Sequence, residues 1–450
     1  MTHRTIRIKK GLDLHLPGAP QGDYAPTAPM IMPKEVAVCP DDFHGVVPRL
    51  LKKEGETVKA GEPLLFDKNF PELMIAAPAA GKVERIERGA RRKIERVVIE
   101  CAPEQEAARL TVSSATADDI RAALLASGLW AFIRQRPYDV VASPAATPRD
   151  IFISTFDSAP LAPAHSLLMQ EHAAEFAKGA EILEKLTSGH VYIGCRPDNV
   201  ADVPGAITQI ITGPHPAGNA GVQIADTAPV NKGETVWAID PETVVRIGGL
   251  FTTGTVDFSC IVSVTGEYVK SPGYICTIAG APLSQLLTDN LTAPDSACRI
   301  ISGNVLTGIR ESIDGFLHNP FRQITVIPEN AHPAEFMGWA SLSPKKFSVS
   351  RSFFSWLEGK NKKFSFDAKV NGGERAIIMA GEYDTVFPMD IYAEFLIKAI
   401  IARDIDKMEQ LGIYEVAPED FALCEFIDTS KLPLQQIVRD GLDFLRKEMN

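Results

Sequence analysis

The sequence predicts a multidomain protein of mixed α/β and α+β class, on three observations. Over the first hundred or so residues, short apolar runs are broken by glycine and proline: VPRLLKKEGETV, EPLLFD, LMIAAP, GKVERIERG and RKIERVVIE. Turn signals spaced that closely fit a small β sandwich or barrel. Between 103 and 257, strand-like runs (DIFIST, VYIGC, ITQIITG, TVWAID) alternate with helical ones, which implies a parallel sheet covered on both faces. Beyond 258 the strands shorten into a β-rich α+β segment, and from 376 onward helical periodicity takes over.

A chain of 450 residues is expected to divide into about two to four domains. The boundaries read from texture are 1–102, 103–257, 258–330, an extended connector at 331–375, and 376–450. In the first segment RIKKGLDLHLPG is the opening strand run. Gly55 and Gly61 mark turns of one half, Gly81 and Gly89 of the other, an echo that suits a barrel of two similar halves. The stretch KKEGETVKAGEPLLFDKNFPELMIAAPAAGKVERI has the cadence of a carrier domain that holds biotin or lipoate on a lysine. Its tip is FDKNFP, with Lys68 near the carrier position. The loop is longer than a tight hairpin and Pro71 alters its path, so Lys68 reads first as a solvated surface lysine. Arg85 to Arg96 is a basic hairpin interspersed with glutamates, a solvated face or a surface for an acidic partner.

In the second segment Thr116 is the expected N-cap of TADDIRAALLASG, with acids in the first turn. A long helix is expected over 163–186, with His165 and His172 on one face, and a proline-initiated helix over PETVVRIGGLFTTG. The run GPHPAGNAG (213–221) follows a strand but lacks the G-x-G-x-x-G triplet and the Lys-Ser/Thr of a phosphate loop. It reads as a tight turn first, and His215 within it as a loop histidine first and a ligand contact second. In the third segment SCIVSVTG, YVKSPGYICTIAG, PLSQLL, CRIISGNVLTG and FRQITVIPE read as strands. Helices are expected at 389–408, from Pro418, and at 434–448.

The formal charge of −11 argues against a nucleic-acid binder, which would present a basic face. No apolar run reaches the ~18–20 residues that span a bilayer. The best candidate, Ile391 to Ala402, is interrupted by Glu394 and Lys398. The N-terminus has no signal-peptide core, so a cytoplasmic protein is expected, with docking on a membrane partner left open. The seven cysteines are scattered without a C-x-x-C pair, which leaves no local zinc or iron–sulfur motif. No H-E-x-x-H or G-x-S-x-G occurs, and no catalytic residue is assigned.

Several stretches carry a resemblance: KKGLDLHLPGAP, KKEGETVKAGEPLLFDK, APAAGKVERIERGARRKIERVVIE, ITGPHPAGNAG, VRIGGLFTTG, RIISGNVLTG, FMGWA, NGGER and PEDFALCEF. Together, and in this order, they resemble the NqrA family, which supplies one subunit of the bacterial sodium-translocating NADH:quinone oxidoreductase (Na⁺-NQR). That family is related to the RnfC component of the Rnf complex and to the flavoprotein of respiratory complex I. The resemblance implies a biotinyl/lipoyl-carrier-like barrel-sandwich, a Rossmann-like α/β domain, a β-grasp module of the soluble-ligand-binding (SLBB) type around SPGYICTIAGAPLSQLL, and a helical C-terminal domain. It implies a peripheral position on the cytoplasmic side of the inner membrane, docked on the membrane component NqrB. The complex couples electron transfer from NADH to quinone with Na⁺ export, and its NADH, FAD, FMN and Fe–S sites lie in the other subunits.

The flavin-binding relatives hold FMN on a glycine-rich loop. The matching stretch here, RPYDVVASPAATPRD (136–150), contains no glycine. Alanine and proline hinder close backbone approach and remove amide donors. Many members of the family carry a second cysteine shortly after the one at Cys424, where this chain has Asp428. The expectation is therefore a chain with no flavin, cluster or metal of its own, with quinone as a candidate ligand. A quinone ring needs an apolar cleft with a few polar groups. Residue type and loop position nominate Phe43, His44, Phe156, Asp157 and His215. A non-catalytic assembly scaffold of the same complex, a biotin or lipoyl carrier, and an autonomous flavoprotein are the alternatives.

Overall fold

Near-continuous apolar runs between residues 134 and 253 form strands buried on both faces, as the alternation with helices requires. The computed structural model describes residues 3–21, 30–164, 171–330, 346–350, 353–359 and 362–449. Its largest sheet has seven strands, in the order His3–Arg7, Ile207–Thr212, Val191–Cys195, Ile151–Ser154, Val236–Ile239, Arg134–Arg136, Val140–Val141. The first five run parallel, and the last two form an antiparallel hairpin at one edge.

The first strand is a correction to the sequence reading, which counts 7–18 with the β domain. His3–Arg7 instead lies parallel to Ile207–Thr212. A short alternating run does not encode its partner. Ile6 and Ile8 find theirs by burying against the helical C-terminal core, beside Ile211.

The β domain is two small antiparallel sheets. One orders Glu35–Val38, Ile94–Cys101, Gly81–Arg88, Thr57–Val58; the other Pro48–Leu50, Pro63–Asp67, Met74–Ala76. Val36, Leu64, Leu65, Val83, Val97 and Ile99 fill the space between them. At the carrier-like tip Lys68 is exposed, but its backbone is tied down. Its amide donates to the Val47 carbonyl at 2.9 Å, and buried Asp67 accepts from the Val47 amide at 2.9 Å.

Thr116 caps helix Ala117–Ala126 in a reciprocal box with Asp119 (3.1 and 3.2 Å). Asp240 caps Pro241–Thr253, accepting from the Thr243 amide at 2.9 Å. This helix packs on Ala173–Glu184 at very close range through glycines on each side. A Cβ on Gly179 would stand 2.0 Å from the Val244 carbonyl oxygen, and one on Gly248 would stand 1.8 Å from that of Glu175. The obstacles are backbone atoms that cannot rotate away. Gly248→Ala is therefore expected to destabilise the chain by about 1–3 kcal/mol or more, as a lowered urea midpoint. An unchanged midpoint would show that the helices can separate freely.

The long helix expected over 163–186 is described only in part. His165 lies outside the described residues, and His172 occupies the N-cap position of Ala173–Glu184. A five-stranded sheet follows, ordered Gly273–Ile278, Ser259–Thr265, Gln323–Pro328, Cys298–Ser302, Ile309–Glu311. PLSQLL is not one of its strands. Leu283–Leu286 is a single helical turn, because a short apolar run headed by proline has no period that separates strand from helix.

The helix expected over 389–408 is broken. Ala393–Ala402 ends at Arg403 in left-handed conformation (φ 54°), and Asp404 starts Ile405–Gln410 by accepting from the Lys407 amide at 3.2 Å. Leu434–Met449 buries Leu434, Val438, Leu442 and Leu445 along one stripe. Within the connector, Phe347 and Phe366 pack with Phe426 against Leu14, Leu16, Ile301 and Ile327. FMGWA (336–340) lies outside the described residues.

Candidate functional site

The order of the large sheet reverses at Ile151–Ser154. From there the chain moves outward to Val191–Cys195 on one side and later returns to Val236–Ile239 on the other. In a sheet of this kind the carboxyl ends of the two strands flanking the reversal splay apart and leave a crevice. A cavity of about 300 Å³ lies there. Ser154, Phe156 and Asp157 line it from the end of one strand, Ile239, Asp240 and Pro241 from the other. The β domain contributes Asp42 and Phe43, the stretch after the five-stranded sheet's hairpin contributes Asn319 to Gln323, and the helical end contributes Glu419.

Four of the five nominated residues, Phe43, Phe156, Asp157 and His215, line this one cavity. His44 does not. Its Nε2 lies 2.9 Å from Asp443 on the C-terminal helix, so it joins the β domain to the helical end. Phe43 packs edge-on against Phe132, with ring centroids 5.4 Å apart. The Arg196 guanidinium covers the Phe156 ring at 4.5 Å while donating to the Gly213 carbonyl at 3.0 Å. Asp157 accepts from the Ala159 amide at 2.7 Å.

The ionic groups on the walls are paired within the protein. Arg134 meets Asp139 at 2.6 Å, Arg322 meets Glu242, and Asp240 is engaged in its helix cap. Asp42 accepts from His318 Nδ1 at 2.6 Å and from the Asn319 amide at 2.9 Å. The other imidazole nitrogen meets Glu311 at 2.8 Å, and Arg96 reaches Glu311 at 2.6 Å. Burial disfavours a charged imidazole, but the two carboxylates outweigh it and push His318 up to about 9. Cys39, Asp42 and His318 hold their ligand-type atoms within 4.8 Å of one another. With both imidazole nitrogens already bonded to carboxylates, that grouping is accounted for as an ion-pair network, and burial pushes the Cys39 thiol up.

Behind Glu419 stands Arg136, whose side chain is 2% exposed. It meets Glu419 at 3.1 Å, Asp420 at 3.4 Å and Asp139 at 3.9 Å. Burial pushes the Glu419 carboxyl up to about 7 against the pull of Arg136. A side chain that is 44% exposed lets water offset part of that rise.

The glycine-free loop before Ile151–Ser154 has engaged several of its amides. Ala142 donates to the Ile133 carbonyl (2.9 Å), Ser143 to Gln135 (3.1 Å), Ala146 to Ser143 (3.0 Å) and Arg149 to Thr235 (2.6 Å). Cys424 is buried among the C-terminal helices. Asp428 staples the following turn, accepting from the Tyr383 hydroxyl (3.1 Å) and the Ser430 and Leu432 amides (3.0 and 2.8 Å).

Sequence reasoning missed Asp42, Ser158, Arg322 and Glu419. Ser158 was within reach, since it follows a strand at the reversal point, four residues past its end. Arg322 and Glu419 arrive from distant segments with no local signal.

Three family models match the chain: the NqrA N-terminal barrel-sandwich hybrid domain over residues 6–102, the NqrA second alpha/beta domain over 115–256, and the NQRA C-terminal domain over 261–311. Among characterised relatives, the A-type subunit of the Na(+)-translocating NADH-quinone reductase of Serratia proteamaculans is 36% identical over 98% of this chain and 100% of its own. Its namesake from Rhodopirellula baltica is 36% identical over 99% of each chain, and that from Neisseria meningitidis serogroup B is 35% identical over 98% of this chain and 100% of its own. Among solved structures, an NAD+-reducing [NiFe]-hydrogenase in the H2-reduced state aligns over 48% of this chain and 47% of that one at 13% identity, with a TM-score of 0.34, too low to bear on fold or function. Matches that run the length of the chain, and domain models in the same order, place it by its own sequence: the chain belongs to the NqrA family of the Na⁺-translocating NADH-quinone reductases.

Proposed function

We propose that this chain serves as the peripheral NqrA component of a Na⁺-translocating NADH-quinone reductase, on the cytoplasmic side of the membrane and docked on NqrB, and that its crevice cavity takes a quinone ring. The carrying observation is the convergence of Phe43, Phe156, Asp157 and His215 at the sheet's reversal point. Pairing of the wall arginines with carboxylates supports an uncharged ring over a phosphate-bearing ligand. Flavin phosphate needs free amides, and the loop at 136–150 has committed several of its own and has no glycine, so it does not fit FMN. On this reading the chain carries no flavin or Fe–S cluster, and NADH, FAD, FMN and Fe–S belong to the other subunits.

The same reading keeps the finer fold labels. Taken in chain order, the five-stranded sheet runs 2-1-5-3-4 with its first and last strands parallel, which supports a β-grasp module over 258–330. Five parallel strands with helices support a Rossmann-like domain over 103–257, beside the carrier-like domain 1–102, the connector 331–375 and the helical domain 376–450.

Assembly scaffolding without ligand is the second reading, favoured by the internal pairing of the cavity's charges. Calorimetric titration of the full chain with a short-chain ubiquinone separates the two. Saturable binding that weakens about tenfold in Phe156→Ala is expected, since losing a ring contact costs on the order of 1.4 kcal/mol. No heat of binding would leave the scaffold.

A further inference from the structure

Among the polar groups of the cavity wall, His215 differs from the paired charges. It is 3% exposed and lines the cavity. Its backbone is fully engaged: the amide donates to Asp13 at 2.8 Å, and the carbonyl accepts from Leu12 at 2.8 Å. A Cβ on Gly11 would stand 2.1 Å from that carbonyl oxygen, so the histidine is wedged between strand-end loops. Its Nδ1 lies 3.0 Å from Ser158 Oγ, and Ser158 Oγ also accepts from the Gly218 amide at 2.8 Å.

Those two contacts fix the protons. The Gly218 amide can only donate. The Ser158 hydroxyl has one hydrogen, and the imidazole nitrogen is its one acceptor among the described residues. If Nδ1 carried a hydrogen, both neighbours of Ser158 would donate and the hydroxyl hydrogen would be stranded in a half-buried site. Nδ1 is therefore the acceptor, and a neutral ring must carry its hydrogen on Nε2. Burial lowers the proton affinity of His215, opposed by Asp157 and Asp13, in keeping with a neutral ring. Nε2 has no partner among the described residues.

We propose that His215 presents Nε2–H to a carbonyl oxygen of the ring bound in the cavity, and that Ser158, itself held by the Gly218 amide, is the positioning residue that fixes this tautomer. This rests on the quinone reading. It adds the atom that recognises the ring and a residue that acts only through His215. A carbonyl is the matching chemistry: a neutral, fixed donor on an otherwise internally paired wall recognises an acceptor that carries no charge.

The test is ¹⁵N NMR of the full chain labelled at histidine, the His215 signals assigned by their loss in His215→Phe, with and without a short-chain ubiquinone. Expected without quinone is an unprotonated Nδ1 and a protonated Nε2. Quinone should shift the Nε2–H signal. Ser158→Ala should mix the tautomers and weaken quinone binding about five- to tenfold, the loss of one oriented hydrogen bond. Ser158→Thr, which keeps the hydroxyl, should restore both. A hydrogen on Nδ1 in the wild-type chain overturns the proposal whatever the quinone does. Quinone binding that leaves the His215 signals unmoved overturns it while sparing the quinone reading. Absence of binding removes both.

Discussion

Replacing Arg136 with methionine is expected to lower the stability of the folded chain by about 3–5 kcal/mol, the range for removing one partner from a buried ion pair. The guanidinium side chain is 2% exposed, and Asp420 beside it is 1% exposed. Methionine fills part of the volume but leaves Asp420 with only the Ala417 amide, at 2.8 Å, to hold its charge. Asp420 would then be forced toward its neutral form. The loss should accordingly be smaller at pH 5 than at pH 8, read as urea midpoints of wild type and variant. Pairing Arg136→Met with Asp420→Leu removes both charges and is expected to recover most of the loss. A single variant as stable as wild type would contradict the reading. Strand Arg134–Arg136 and the turn Pro418–Phe421 meet through this cluster, and Glu419 on the cavity wall belongs to that turn. Loosening it should therefore cost quinone affinity as well.

The second large effect is a pH dependence set by His318. Its pKa stands at about 9 in the fold against an ordinary 6.5, so between these values the folded chain binds more proton than the unfolded one. The stabilisation is complete below pH ~6.5, is lost as pH rises, and is gone above ~9. Its size is roughly 3 kcal/mol at the acid end, for a side chain that is 9% exposed. His318→Gln is expected to be less stable than wild type by about that amount near pH 6, with the gap closing toward pH 9. Parallel stability curves would show that the imidazole between Asp42 and Glu311 is not charged. The bracket joins the β domain, through Asp42 and Arg96, to the five-stranded domain, through Glu311 and His318. The predicted loss therefore falls on the seam at the base of the cavity.

Elements whose stabilising contacts are local were legible in the sequence. The Thr116 box, the proline-led helix behind Asp240, the parallel strands with buried faces and the stripe of Leu434–Met449 follow from capping and periodicity. What escaped was decided by distant contacts. His3–Arg7 pairs about 200 residues away in sequence (Thr5 with Ile210, for instance), which no local pattern encodes. Arg403 breaks a helix without a glycine or proline, because Asp404 caps the next one. The same division runs through the cavity. Phe156, Asp157 and His215 follow strand ends, where crevice residues are expected, and they converge. His44, chosen as the neighbour of Phe43, turns instead to Asp443, since adjacent residues in a loop need not share a face. Glu419 and Arg322 reach the wall only through the packing of the later domains.

A chain unable to grip flavin phosphate is left, on this reading, with the crevice beside Phe156 and His215 as a berth for an uncharged ring. A crystal structure of the full chain grown with a short-chain ubiquinone decides the matter. Ring density is expected in that cavity, with a carbonyl oxygen within hydrogen-bonding distance of His215 Nε2 and no FMN along the loop at 136–150. Quinone bound elsewhere with the crevice filled by solvent, or FMN held by that loop, would contradict it.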